Sequence, residues 1–471
     1  MSTVQTIFAK EQEQPRRTGA RQEDLFSGAR AKFGLYAICF GFFLVLLDTT
    51  ALNVAIGAIQ QEFRGKMSGL QWVVNSYSIA FASLLLTCGA VGDRFGARRL
   101  YQIGLALFTG MSLLCALSPG VGFLIGARMV QGLGAAMMLP ASLSLLSHAF
   151  PHPDQRARAV TFWASTVSLG FAAGPALGGV LTNYFGWRSI FWINVPVGLA
   201  ALWMVRRFVE ENKAVNPRHI DWPGQVSICL LLFFLTYGLI EAGNAGWTTP
   251  RILWAFGLSI LLTIAFVMIE RFSSSSVLPR CLFHDPTFSV CVIVGGVLNF
   301  GMYGILFIES IYLQNIRHLS ALSAGLLILP FTVLPTITGR LIVRYSGRSH
   351  IRLRLAIGLL VASLGASAIG LALWSSGYGR VLLGLGLLGI GLGSIMPAMT
   401  TGVLSSSTTQ MSGVASGILN SARQVGGTMG VALMGTLVQR SQGQGMLWSF
   451  ALAVVCFLLM AGATLRFIKR K

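Results

Sequence analysis

Residues 33–59 read FGLYAICFGFFLVLLDTTALNVAIGAI, twenty-seven residues with a single charge, Asp48. A continuous apolar run of this length spans a hydrocarbon core of ~30 Å as a helix. Only helices and closed barrels satisfy every backbone hydrogen bond inside lipid. A barrel strand would alternate apolar and polar over about ten residues, and this run does not. The same reading places further blocks at 71–92, 98–118, 121–147, 157–183, 189–208, 223–241, 252–270, 287–312, 321–343, 355–374, 381–403, 412–438 and 446–466. The expected fold class is therefore an all-α polytopic membrane protein with fourteen transmembrane helices.

The charges confirm the pattern by where they lie. Of 471 residues, 54% are hydrophobic and only 11% charged, with a net charge of +20. Taking the amino terminus as cytoplasmic, the inner tails and gaps hold 26 of the 35 Lys and Arg, from Lys10 to Lys471. The outer gaps hold seven, and the remaining two, Arg128 and Arg423, lie deep inside blocks. This is the positive-inside bias. It explains the basic balance without nucleic acid as a partner. It also predicts a multi-pass protein of the cell membrane with both termini cytoplasmic. Residues 1–32 read as a disordered cytoplasmic tail. The first block lies too far in to be the apolar core of a cleaved signal.

Two longer gaps, 209–222 and 271–286, bracket blocks seven and eight. The chain divides as a tail 1–32, a six-helix lobe 33–208, a two-helix insertion 209–286 and a second six-helix lobe 287–467. A weak internal repeat supports this. Gly89-Ala-Val-Gly-Asp93-Arg94-Phe-Gly96-Ala-Arg98-Arg99 follows block two. Gly339-Arg340-Leu-Ile-Val343-Arg344-Tyr-Ser-Gly347-Arg348 follows the second block of the last six. Repeats of this kind build many secondary transporters, with binding near the midplane between the halves.

Charges within blocks are costly and need partners or work to do. A carboxylate such as Asp48 at mid-depth costs about 2.5–3.5 kcal/mol on insertion scales. It serves either as a proton or cation site, or as a structural hydrogen-bond acceptor for Thr49, Thr50 or Asn53. Arg128 cannot shed its proton; its partner is Asp48 or a backbone carbonyl. Glu309 and Glu241 sit toward the outer ends of blocks nine and seven. Each is a substrate or proton residue, or is simply solvated at the interface. Glu270 reads as an interfacial pair with Arg271. Gly170, Gly174 and Gly178 recur every four residues on one helix face beside Pro175 and Gly179, a face for close helix contact. No Gly-Lys-Ser/Thr follows the Gly-rich stretches 384–393 and 413–430, so nothing supports ATP binding. The seven Cys are scattered. His148 and His152 are separated by Pro151, so no metal site or other cofactor is expected.

These residues resemble the major facilitator superfamily, specifically its fourteen-helix drug–proton antiporters, and among them the methylenomycin-resistance-like subgroup. Leu47 to Ala55 is similar to the family's first-helix signature, with Gly57 where that signature has Pro. Residues 89–99 resemble its loop between helices two and three. Arg128, Gln131, Gly132 and Gly134 resemble its fourth-helix motif, and 170–179 its antiporter motif. Trp187 to Pro196, Ala324-Gly325-Leu326 with Pro330, and Arg423-Gln424 with Gly426-Gly427 resemble the fourteen-helix branch. Val343 departs from the acidic residue often found in the second-lobe loop.

The resemblance implies two six-helix lobes of major facilitator type with two helices inserted between them. It implies export of amphipathic, cationic small molecules against protons by alternating access, and fourteen helices in membrane lipid suffice for a monomer. Asp48, Arg128, Glu309 and Glu241 would then serve protons or substrate. Gly89, Asp93, Arg94, Gly96 and Arg98 would form a conformational latch, and Gly170, Gly174, Pro175, Gly178 and Gly179 the antiporter motif. The rivals are a narrow-specificity metabolite or antibiotic exporter and, from another class, a channel or uncoupled carrier. An enzyme would need titratable side chains clustered at one depth, and none appear.

Overall fold

A computed structural model describes residues 29–211, 221–272, 278–345, 351–374, 377–408 and 411–468. The expected tail, through residue 28, lies outside them, as do Lys213, Arg218 and residues 346–348 of the internal repeat. Among the described residues the chain is nearly all helical, joined by short turns and loops, with no strand. Its long helices are α1 (Ala29–Phe63), α2 (Met67–Phe95), α3 (Ala97–Ala116), α4 (Val121–Ala149), α5 (Pro153–Phe185), α6 (Ser189–Phe208, with a turn at Ile193), α7 (Trp222–Ala245) and α8 (Pro250–Phe272). They continue as α9 (Pro286–Ile316, its end in π form), α10 (Ala321–Tyr345), α11 (Ile351–Ala372), α12 (Gly379–Ser405), α13 (Ser412–Arg440) and α14 (Gln442–Phe467).

Two expectations shift. First, α1 already includes residues 29–32, assigned above to the tail. Ala, Arg and Lys are strong helix formers and extend the apolar run at little cost. Secondly, thirteen of these helices are long and apolar enough to cross a membrane, and α13 falls short. It carries Asn420, Arg423, Gln424, Thr428 and Gln439, and is sheltered by packing on α9, α2 and α7.

The two lobes repeat one packing pattern. In the first, α4 packs on α2 and α3, and α1 on α5 and α6. In the second, α12 packs on α10 and α11, and α9 on α13 and α14. Paired glycines set equivalent crossings. A Cβ on Gly104 or Gly134 would meet the other residue's carbonyl oxygen at 2.7 Å. The same holds for Gly365 and Gly384 at 2.7 Å. The Gly-rich stretch of α12 therefore meets the α11 backbone at Gly384 and Gly391 and the α10 backbone at Gly389 and Gly393. Such small-residue crossings carry helix association where lipid removes the hydrophobic drive.

The lobes meet along α2–α13, α5–α10 and α1–α9, and α7 lies over the α2–α13 seam with α8 outside it. Trp254, Leu261 and Met268 of α8 are exposed, as suits a surface facing lipid chains. The face where α1 begins is called near and the face where it ends far. Hydrogen bonds between the lobes gather in the far half. Gln71 Nε2 donates to the Val431 and Ala432 carbonyls (3.1 and 2.7 Å). Ser310 Oγ donates to the Asn53 carbonyl (2.5 Å), Gln314 Nε2 to that of Val54 (2.8 Å), and Asn315 Nδ2 to Gln60 Oε1 (2.6 Å).

Candidate functional site: a buried ion pair in the first lobe

Asp48 sits midway along α1, with 0% of its surface exposed. Its neighbours Thr49, Thr50 and Asn53 do not serve it. Each donates instead to its own helix, at the carbonyls of Val45, Leu46 and Thr49 (2.8–2.9 Å), a habit of short polar side chains in helices. The partners come from other helices. Arg128 of α4, 1% exposed, pairs its Nη1 with Asp48 Oδ2. Gln131 Nε2 and Asn194 Nδ2 donate to Oδ1 at 3.3 and 3.1 Å.

The guanidinium is held as closely. Its Nη1 donates to Gln131 Oε1 (2.7 Å) and its Nε to the Val73 carbonyl of α2 (3.4 Å). The Tyr77 ring lies 4.3 Å from Cζ, a cation–π contact. Ser112 Oγ of α3 accepts from Gln131 (2.8 Å) and Asn194 (3.3 Å). The pair thus ties α1, α2, α3, α4 and α6 into one polar node inside an apolar lobe. Two charges removed from water persist only when their remaining donors and acceptors are met. Here both carboxylate oxygens accept bonds, and the cation has a carboxylate, an amide, a carbonyl and a ring face.

Sequence reading offered Asp48 as one of two partners for Arg128 and placed Gln131 beside it in the fourth-helix motif, but gave no individual role to Asn194, Ser112 or Tyr77. Their signal was present. Arg128 and Gln131 are three apart, hence on one helix face. Asn194 and Ser112 are polar residues inside apolar blocks.

Glu309 and Glu241 are not part of the node. Glu309 lies on α9 beside Ser310, at the α1–α9 seam. It is fully buried, and neither carboxyl oxygen has a hydrogen-bond partner. Its complete burial overturns a merely solvated Glu309. Glu241 Oε1 accepts from Trp72 Nε1 (3.3 Å) and Oε2 from Asn244 Nδ2 (3.2 Å), linking α7 to α2. Glu270 Oε2 accepts from the Leu278 amide (3.1 Å). Arg423 of α13 has amide partners, Asn299 Oδ1 (3.5 Å) and Asn420 Oδ1 (3.4 Å).

At the near face, Gly96 ends α2 with φ +106°, a conformation that favours glycine. A Cβ there would also meet the Glu211 carboxylate at 2.5 Å. Glu211 was not anticipated. Its oxygens accept from the Arg98 and Arg99 amides (3.0 and 3.2 Å), and its charge lies 3.6 Å from Arg99 Nε. An acid at the start of α3 satisfies free amides and complements the helix dipole. Arg98 Nη2 donates to the Arg206 carbonyl (2.7 Å), and Arg94 lies against the Phe95 ring. Asp93 occupies the last turn of α2, and Gly89 faces Pro140 of α4 at 3.8 Å.

The α5 glycines divide between two partners. A Cβ on Gly170 would meet the Phe43 carbonyl at 2.9 Å, one on Gly174 would strike Thr50 Oγ1, and one on Gly178 would meet Ala51 Cα at 2.8 Å, all on α1. On the other side, Gly179 approaches the Ala321 carbonyl at 2.9 Å, and the Pro175 carbonyl lies against Gly325 of α10. Gly57 also acquires a reason. Gln314 fills the space where its Cβ would stand, with Oε1 at 2.6 Å.

A family model described as Major Facilitator Superfamily matches residues 38–431. The chain is 36% identical over 407 residues to the multidrug resistance protein Stp of Mycobacterium tuberculosis (strain CDC 1551 / Oshkosh), covering 86% of this chain and 75% of that one. It is 33% identical over 472 residues to the methylenomycin A resistance protein of Streptomyces coelicolor (strain ATCC BAA-471 / A3(2) / M145), covering 100% and 98%. Among solved structures, the peptide transporter POT in complex with sulfate shares the fold at a TM-score of 0.70. It is 15% identical, with 92% of this chain and 93% of that one covered.

Proposed function

Because the chain belongs to the Major Facilitator Superfamily, we propose that this membrane transporter is a proton-coupled exporter of amphipathic, cationic small molecules, working by alternating access. It is a multi-pass membrane protein and not an enzyme. The efflux direction draws on relatives named for multidrug and antibiotic resistance. The near face is taken as cytoplasmic, in a cell inner membrane, with both termini on that side. The working units are the lobes 33–208 and 287–467 with 209–286 as an insertion, and a monomer suffices.

The observation that carries the proton reading is the Asp48–Arg128 node. Protonation of Asp48 Oδ2 removes the charge attraction to Arg128. The cation keeps Gln131 Oε1, the Val73 carbonyl and the Tyr77 face, so it need not leave its site. One proton therefore loosens a contact that joins α1 to four other helices, and this links protonation to the shape of the lobe. With the far seam closed, the cycle stands in its cytoplasm-facing phase, where a proton leaves Asp48 and substrate enters. A unit charge crossing 100 mV supplies about 2.3 kcal/mol.

The test is proton movement in reconstituted vesicles carrying an imposed pH gradient. Ethidium serves as a flat cation, chloramphenicol as a neutral antibiotic and fluorescein as an anion. Collapse of the gradient by ethidium, absent in the Asp48→Asn/Arg128→Gln variant, is the expected result. Ethidium flux without proton movement would replace the antiporter by an uncoupled carrier or channel.

Glu309 supplies the acid for substrate charge in this reading. Its unpartnered oxygens leave it able to accept a proton or a cationic group. Glu309→Gln is expected to abolish the ethidium response while a neutral compound still moves protons. Equal loss for charged and neutral compounds would instead assign Glu309 to the proton path.

A further inference from the structure

Of the two inserted helices, α7 lies over the α2–α13 seam, and its hydrogen bonds are unevenly distributed between the lobes. Toward the near face, Gln225 of α7 holds α2: its Nε2 donates to the Ser83 carbonyl (2.5 Å), and its Oε1 accepts from Thr87 Oγ1. At mid-depth, Ile228 and Leu232 pack with Trp72, Ile79 and Val425 through apolar contact, which has no direction and can slide. Toward the far face, α7 holds both lobes. Trp72 of α2 donates to Glu241, and Asn244 Nδ2 donates to Ser68 Oγ (2.6 Å). On the other side, Thr436 Oγ1 of α13 donates to the Leu239 carbonyl (2.7 Å), and Gln439 Nε2 donates to Asn244 Oδ1.

Asn244 is the one side chain in this set that bonds to both lobes, and its orientation is determined. A carboxylate only accepts. Glu241 Oε2 at 3.2 Å therefore turns the Asn244 amide nitrogen toward itself and Ser68. The carbonyl oxygen is left facing Gln439. Close backbone approach supports the contact. A Cβ on Gly243 would meet Gln439 Oε1 at 2.7 Å and Thr436 Cγ2 at 3.2 Å.

We propose that Asn244, oriented by Glu241, is a positioning residue that clasps α2 to α13 at the far face. The pair α7–α8 then travels with the first lobe and releases α13 when the far side opens. This rests on the alternating-access reading, not on its proton or substrate assignments. The physical reason is the distribution of bonds. Those to α2 occur at both ends of α7 and survive a tilt of the lobes. Among the described residues, the bonds between α7 and α13 lie toward the end that must part.

The test measures distances and needs no substrate or gradient, so a failed antiport assay leaves it readable. In a chain with its seven native Cys replaced, spin labels are placed on Thr248→Cys in the α7–α8 turn. The second label sits on Lys66→Cys in the α1–α2 turn or on Ser441→Cys in the α13–α14 turn. Double electron–electron resonance is expected to give one narrow distance for 248–66, unchanged by Asn244→Ala. For 248–441, Asn244→Ala should raise a longer population. General loosening of the fold would broaden both distances equally and overturn the clasp. So would an unchanged 248–441 distance. A 248–66 distance that varies while 248–441 stays fixed would assign the pair to the second lobe.

Discussion

The Asp48→Asn/Arg128→Gln double variant is expected to be more stable than Asp48→Asn alone, although it carries one substitution more. In the single variant the guanidinium is left 1% exposed and without its carboxylate. It cannot deprotonate, and removing one partner of a buried pair costs about 3–5 kcal/mol. Gln131, Val73 and the Tyr77 ring recover part of that. Arg128→Gln alone should fall between the two, because the stranded Asp48 can take up a proton and still accept from Gln131 and Asn194. Thermal unfolding of the four proteins in one detergent measures the order. An Asp48→Asn variant as stable as the parent would mean that the pair is not held as two charges. The double variant also gives the vesicle assay a folded protein without the proton site.

How much of this was legible in the sequence follows from the physics of each feature. Fourteen helices could be read because lipid makes apolar length a near-complete criterion. The criterion weakened at α13, where Arg423 and its amide neighbours lower the hydropathy and protein packing replaces lipid. Asp48 and Arg128 stood out because isolated charges in an apolar block are few. Their pairing was only one of two options, since a sequence gives depth along each helix but not which helix faces touch. The supporting amides were harder still, being uncharged and common. Glu309 shows the opposite limit. Its position near a block end left solvation open, and only the folded structure shows it enclosed. Glu211 was illegible because its work is done on amides 112 residues or more away in the chain.

Gly178→Ala is expected to destabilise the protein and slow transport, although it adds one methyl group to a helix where alanine is otherwise the better residue. The added Cβ would lie 2.8 Å from Ala51 Cα and 2.9 Å from the Ala51 carbonyl oxygen. These are backbone atoms of α1 and cannot rotate away. Nor can α5 retreat, because its other side meets α10 at Gly179–Ala321 and Pro175–Gly325. Overpacking of this kind costs about 1–3 kcal/mol. Gly126→Ala on α4 is the control. Nothing lies within 4 Å of its added carbon, so stability should hold or rise slightly and transport should stay unchanged. If alternating access moves α5 along α1, the glycine face is a sliding surface and not only a packing surface. The Gly178→Ala protein should then lose transport rate even at temperatures where it remains folded. Loss of rate only in step with unfolding would leave the face a packing device alone.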